Sequence, residues 1–365
     1  MNKKAYALYS IILLAALLLA ICAMSLLLPD EEFSVSERRK LAQLPELTLQ
    51  SAVDGSFAQD FEKYSVDQFP LRDGFRRIKA TAQYDIFRLK DNNGIYIAQG
   101  YAAKCVYPLD EASVESAAQK FGDIYEKYFA DDSGRIVVCV VPDKGIYLGP
   151  ENGYPCIELS RMQSMLEEAM PYAQLCDISD TLSIDDYYRT DTHWRQEKLL
   201  PTAKKLAESL GVELGEEYLT QDAGVDFYGV YYGQSALPLP PERIGYVTSD
   251  SISRAVAYYP ETGRAGGVYD HEALYGRDPY DFFLGGASPV VTIENPAAED
   301  RRLVIFRDSF ASAIAPYLIE GYSRIALIDT RYISPELLED YAELKDSDVL
   351  FLYSTLVLNQ SETLR

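Results

Sequence analysis

An α/β fold built on a parallel sheet is what this chain predicts, and three observations carry the prediction. Short apolar runs rich in β-branched residues recur at 135–141, 303–306, 324–328 and 349–353, the first and third opened by an arginine. Stretches with apolar residues at helical spacing stand between them. The runs stop abruptly at polar turn residues, Pro142-Asp143-Lys144 after the first and Asp308-Ser309 after the second. Apolar strands alternating with helices describe a parallel sheet covered on both faces. Such sheets meet ligands at the carboxyl ends of their strands.

The elements follow in order. Lys3 and Lys4 precede a run at 5–28 without a charged residue, and Asp30, Glu31 and Glu32 follow at once. The run is long enough to cross a hydrocarbon core of ~30 Å as a helix. Lysines before and acids after fit a cytoplasmic N-terminus with the bulk of the chain outside. The alternative is a cleaved signal peptide, for which Ala23-Met24-Ser25 is the best cleavage site although three leucines succeed it. Residues 30–60 are polar and loop-like, and 61–90 has helical spacing, with Pro70 beginning a second helix. Asn92-Asn93-Gly94 is a turn before a short strand at 95–97. Ser113 is the expected cap of a helix at 113–129. Further on, 159–173 is helical, 174–178 a strand, and 196–210 an amphipathic helix stopped by Gly211. Residues 212–300 break the rhythm with Gly, Pro and Tyr and read as loops and short strands. Helices at 309–320 and 335–344 separate the last strands.

Composition excludes some functions. A net charge of −22 over 365 residues repels nucleic acid and argues against docking on anionic lipid through basic patches. The 29 tyrosines suit carbohydrate contacts, and equally suit a ring of amphipathic side chains around a core. Cys22, Cys105, Cys139, Cys156 and Cys176 match no zinc spacing. Cys139 and Cys176 lie in strand-like stretches and read as buried thiols.

Two short segments carry the chemistry. Tyr187-Tyr188-Arg189-Thr190-Asp191-Thr192-His193-Trp194 holds one of only two histidines beside the sole tryptophan. The run ending in Arg307-Asp308-Ser309-Phe310 puts a serine at a strand-to-helix turn. A serine hydroxyl is a weak nucleophile and needs a base, for which a neutral imidazole serves. Ser309 is thus the candidate nucleophile, His193 the base, and Asp191 the acid that fixes the tautomer. The unpaired amides at the following helix start, including that of Ser309, can stabilise an oxyanion. Arg189 is a candidate for binding a substrate oxygen. Asp308 and Ser309 are also good N-cap residues, so this segment alone fits plain capping as well. A zinc site would need a further ligand, and His271 stands in a loop without ligand spacing. No Walker loop and no Gly-x-Gly-x-x-Gly is present, so no metal and no cofactor is expected.

The Thr190-Asp191-Thr192-His193-Trp194 block resembles the Asp-x-His-Trp block of the DHHW family, related to the alginate O-acetylation proteins of the AlgX/AlgJ type. Glu37-Arg38-Arg39-Lys40-Leu41-Ala42 with Pro45 resembles that family's opening segment, and Asp67-Gln68-Phe69-Pro70-Leu71-Arg72-Asp73 its Asp-x-Phe-Pro-x-Arg block. Pro142-Asp143-Lys144 resembles its strand-end Pro-x-Lys, and Asp308-Ser309-Phe310 its nucleophile block.

The resemblance implies an SGNH-hydrolase-like three-layer fold with a central, mostly parallel sheet and a permuted motif order, the Asp-x-His block preceding the serine. It also implies extracytoplasmic O-acetyl transfer to a polysaccharide, with a membrane-bound O-acyltransferase supplying the acetyl group. Arg307 stands where the family has glycine, and a side chain there would crowd the site or bind an anion. Tyr228, Gly229 and Asn359 are oxyanion candidates by residue type only. The expected organisation is a cytoplasmic stub and transmembrane anchor at 1–29, a helical and extended segment packed on the main domain at 30–110, and an SGNH-like domain at 111–365 with an irregular insertion near 212–300. The expected function is a carbohydrate O-acetyltransferase or acetylesterase using Ser309, His193 and Asp191. The alternative is an inactive glycan-binding or scaffold protein of an export complex.

Overall fold

A computed structural model describes residues 3–365. Its chain divides into two compact units, one of 1–93 with 233–238 and one of 94–232 with 239–365.

The first unit opens with α1 (Lys3–Leu27), apolar and unburied from Ala5 to Leu27. A two-residue strand pair, β1 (Phe33–Ser34) and β2 (Arg39–Lys40), precedes three helices: α2 (Leu49–Val53), α3 (Ser56–Asp67) and α4 (Arg72–Thr81). Pro70 does separate two helices, with Leu71 in the left-handed region at φ 57° as the cap of α4. A π turn at Ala82–Ile86 extends α4. Few apolar side chains are buried in this unit, and ion pairs hold it. Asp67 takes both Arg39 Nη1 (2.8 Å) and Nη2 (2.6 Å) and the Ala42 amide (2.9 Å). Glu37 pairs with Arg72 at 2.5 Å and Arg76 at 3.2 Å.

The second unit begins with the hairpin β3 (Ile95–Ala98) and β4 (Tyr101–Lys104), then α5 (Glu111–Tyr128). The cap of α5 is Asp110, whose carboxylate accepts the Ser113 amide, while Ser113 itself is buried against Leu358. Next come β5 (Ile136–Val141), α6 (Gly145–Leu148), α7 (Leu159–Ala169), β6 (Gln174–Leu175) and α8 (Leu200–Ser209). The helix expected from 196 starts as a single 3-10 turn, Gln196–Lys198, because Pro201 favours the first turn of α8.

The stretch 212–300 is more ordered than its composition suggests. It forms β7 (Leu219–Phe227), α9 (Val230–Ser235), β8 (Glu242–Thr248), α10 (Asp250–Arg254), β9 (Val256–Tyr259), β10 (Arg264–Gly266) and β11 (Val290–Glu294). The chain closes with β12 (Arg302–Arg307), α11 (Ala311–Leu318), β13 (Arg324–Ile328), β14 (Ser347–Ser354) and α12 (Thr355–Leu358). A 3-10 stretch at Pro335–Asp340 stands in place of the helix expected at 335–344.

Eight strands form the central sheet in the order β10-β9-β11-β13-β12-β14-β5-β6. From β13 to β6 the pairs are parallel. The edge β11-β9-β10 is antiparallel and comes wholly from the segment read as irregular. Period-two alternation buries both faces. Cys139, Leu303, Ile305, Leu350 and Leu352 pack with α8 and α11 on one side, and Val138, Val140, Val304, Phe306 and Phe351 with α5 and α7 on the other. The result is a mixed α/β, three-layer arrangement around a mostly parallel sheet, as expected. β12 is central, and its carboxyl end delivers Asp308 and Ser309.

Candidate active site

The turn after β12 is built before it is occupied. Asp308, 1% exposed, accepts the Phe310 amide through Oδ1 (3.0 Å) and the Ser354 amide through Oδ2 (2.7 Å), tying the ends of β12 and β14 together. Helical bonding starts with Ala311 N–H to Asp308 O and Ser312 N–H to Ser309 O. The Ser309 amide therefore lies ahead of the helical ladder, at its positive end. Ser309 is half-buried, so its hydroxyl can meet a substrate.

The histidine segment folds back on itself through a bridge between Tyr187 and Trp194. Its turn is gripped from several sides. The buried Lys144 ammonium donates to the carbonyls of Tyr188 (2.9 Å), Arg189 (3.3 Å) and Asp191 (2.6 Å). Burial pushes Lys144 down to about 8, against the opposing pull of Asp143, Asp191 and Glu242. Glu242 accepts the amides of Arg189 and Thr190, both at 2.8 Å, and the Thr190 hydroxyl. Within this frame Asp191 is 0% exposed. Its Oδ2 accepts the Val230 amide at 2.7 Å, and its Oδ1 accepts the His193 amide at 3.0 Å and faces His193 Nδ1 at 2.6 Å.

His193 Nε2 lies 2.7 Å from Ser309 Oγ. A carboxylate at Nδ1 assigns the ring proton to that nitrogen and leaves Nε2 to accept from the serine. The Tyr280 ring stacks on the imidazole at 3.8 Å and 6°, so the ring cannot swing away on that side. Remote segments stay in register because three bonds cross between them. Trp194 Nε1–H donates to Phe310 O (3.0 Å), Gln196 Nε2–H to Ala313 O (2.8 Å), and the Tyr317 hydroxyl to Gln196 O (2.9 Å). The arrangement has the parts for moving a proton from a serine to an imidazole held by a carboxylate.

The remaining sequence candidates are placed as follows. Arg189 is exposed on the same turn, its guanidinium 5.6 Å from the centre of the Tyr101 ring. Gly229 uses its amide on Thr190 Oγ1 at 3.0 Å, and a Cβ there would meet Asp191 Cβ at 2.3 Å. Glycine is needed at that position for close approach to the Asp191 backbone and Cβ. Tyr228 is partly exposed and packs on Tyr232, with ring centres 4.6 Å apart. Asn359 clasps the start of α5, accepting the Asp110 amide (2.7 Å) and donating to Pro108 O (3.1 Å). Arg307 turns inward, 1% exposed, donating at 3.3 Å to Ser312 Oγ and to Ser288 O. Burial lowers its pKa. It does not face solvent. No three-residue cluster of His, Cys, Asp and Glu able to hold a metal occurs among the described residues.

Sequence reasoning passed over Glu242, Val230 and Tyr280, and noted Lys144 only as a motif residue. All four come from elements far from 187–194 in the chain. Only Gly229, beside Val230, carried a local signal.

Comparisons with known proteins agree on architecture. No family model matches the chain, and no curated protein does. Among solved structures, a DHHW family protein from Eubacterium siraeum is similar at 21% identity and a TM-score of 0.58, over 75% of this chain and 94% of that one. PatB1 of Bacillus cereus with a sulfonyl adduct is similar at 17% identity and a TM-score of 0.55, over 72% of this chain and 95% of that one. The motif resemblance is thus matched by shared architecture: this chain has the fold of a DHHW family protein.

Proposed function

We propose that this chain is a serine-dependent carbohydrate O-acetyltransferase or acetylesterase of the DHHW kind, anchored by α1 with its second unit outside the cytoplasm. The observation that carries the reading is the relay of 2.7 Å from Ser309 Oγ to His193 Nε2 and 2.6 Å from His193 Nδ1 to Asp191 Oδ1. Ser309 Oγ attacks an acetyl carbonyl while its proton passes to Nε2. Asp191 stabilises the imidazolium that forms. The tetrahedral oxyanion is met by amides at the start of α11. It collapses to acetyl-serine as the imidazolium returns its proton to the leaving oxygen. A sugar hydroxyl, or water, then gives its proton to His193 and takes the acetyl group, and the imidazolium hands that proton to the departing Ser309 Oγ, restoring the hydroxyl.

Three further observations support the reading. The sulfonyl adduct of PatB1 sits on a protein of the same fold. The exposed Arg189, on the turn that carries Asp191 and His193, suits a polar substrate. The apolar, unburied α1 suits an anchor as well as a leader segment, and a membrane-bound O-acyltransferase would provide the acetyl donor. The test is hydrolysis of a chromogenic acetyl ester by the full chain in detergent, with a sulfonyl fluoride as label. Turnover that vanishes in Ser309→Ala and His193→Ala, with the sulfonyl mass on Ser309, is expected. Equal rates in wild type and both variants would leave a glycan-binding or scaffold protein.

A further inference from the structure

α1 ends at Leu27, and the chain beyond it is fastened at once to α3. The Tyr64 hydroxyl donates to Asp30 (3.1 Å), the Glu31 amide to Gln68 Oε1 (2.9 Å), and Gln68 Nε2 to Glu31 O (2.9 Å). Three residues span at most about 10 Å, so α3 stays within roughly that distance of the end of α1.

α4 is turned the unusual way round. Ala80 is buried, and Arg72 and Arg76 on the neighbouring flank pair with Glu37. The solvent side carries an apolar line beside the exposed Asp73, Arg77 and Lys79. Leu71, Phe75 and Ile78 recur at helical spacing, and Ile86 and Phe87 continue them in the π turn; all five are between 47% and 72% exposed. A contiguous apolar strip of this kind is unfavourable in water and calls for a partner. Its charge setting selects the partner. Within 61–90, seven Lys and Arg stand against four Asp and Glu, in a chain whose net charge is −22. An apolar stripe with basic flanks, on the helix that follows α3 where α3 is tied to the end of a spanning helix, is the composition of a helix lying in a membrane interface.

We propose that the face formed by Leu71, Phe75, Ile78, Ile86 and Phe87 lies in the headgroup layer of an anionic phospholipid bilayer, the same bilayer that α1 crosses. This rests on reading α1 as an uncleaved anchor. The contact comes from apolar insertion, with the basic side chains near lipid phosphates. It thereby escapes the repulsion that the chain's overall charge sets against a purely electrostatic contact.

The test uses the full chain in nanodiscs containing phosphatidylglycerol. Single tryptophans are introduced as Phe75→Trp, Ile78→Trp and Leu14→Trp, and the Trp194 emission of the parent is subtracted. Spin-labelled lipid should remove most of the added emission at positions 75 and 78, and aqueous acrylamide should remove little. Loss at 14 without loss at 75 and 78, which acrylamide then reaches, leaves the anchor standing and overturns the interface. Positions 75 and 78 shielded from both quenchers would place the face against protein and overturn it equally. No loss at 14 would sink the anchor reading and the interface with it.

Discussion

The two units are held together by different forces. In the second unit both sheet faces are covered by apolar side chains, and the charged groups at its site are buried and paired with backbone. Asp191 and Lys144 are both 0% exposed. In the first unit Leu41 and Ala80 are among the few buried apolar side chains, while Arg39, Glu37, Asp67, Arg72 and Arg76 form a partly exposed network. Apolar burial is insensitive to salt and to moderate pH, whereas exposed ion pairs are screened and titrate. The contrast teaches that the tightest packing surrounds Ser309, His193 and Asp191, and that the first unit is ordered by forces its surroundings can alter.

The sharpest way to break this comparison is at the serine. Ser309→Ala should lower acetyl-ester turnover by about 10³-fold or more. The melting of the second unit should stay unchanged, because only one hydroxyl is lost. Calorimetry beside the rate assay checks both. Gly229→Ala is next. Its methyl would fall 2.3 Å from Asp191 Cβ and displace the carboxylate, so kcat should drop by about 10²-fold while far-ultraviolet dichroism persists. An unaltered kcat would mean that Asp191 does not orient His193.

Lys144→Met removes the donor to three buried carbonyls and should destabilise the second unit by about 3 kcal/mol. The pH dependence sharpens the point. Burial holds Lys144 at about 8, below its ordinary 10.5. Between those values the unfolded chain binds more protons than the folded one. This group therefore makes stability rise with pH across that window, and the methionine variant should flatten the slope in chemical denaturation.

The smallest effect belongs to the first unit. Asp67→Asn should loosen α3 by about 1 kcal/mol, discounted because Arg39 is solvent-exposed. Hydrogen bonding to Arg39 holds the Asp67 carboxyl at about 2, below its ordinary 3.8. The stabilisation it contributes is thus present above the ordinary value and lost as pH falls toward about 2. Hydrogen-exchange protection factors in α3, taken against the unstructured rate at each pH, should fall with acid and with salt in the parent and change little in the variant. Protection in β12 should be indifferent to both.

Much of the central sheet was legible in the chain. The runs at the middle of β5, β12, β13 and β14 are apolar on both faces because both faces are covered, with polar residues only at strand ends, so no periodicity had to be decoded. The antiparallel edge β11-β9-β10 was not legible. Its strands are short, interrupted by glycine-rich turns, and gain their identity from pairing with β13. In the same way Asp110 took the capping role expected of Ser113, because Ser113 is drawn inward to Leu358 O and the Ser361 amide.

By itself the sequence determined which residue types were available for proton transfer: one histidine behind an aspartate, and one serine at the end of an apolar strand. Those follow from local chemistry, since a strand running into Asp-Ser and a helix leaves few other places for the hydroxyl. Tertiary structure alone decided that the two segments meet, that Lys144 and Glu242 grip the turn, and that Tyr280 covers the imidazole. It also buried the Arg307 side chain against Ser312 and Ser288. These outcomes depend on contacts between residues far apart in the chain, such as Trp194 with Phe310, and no local pattern encodes a distance.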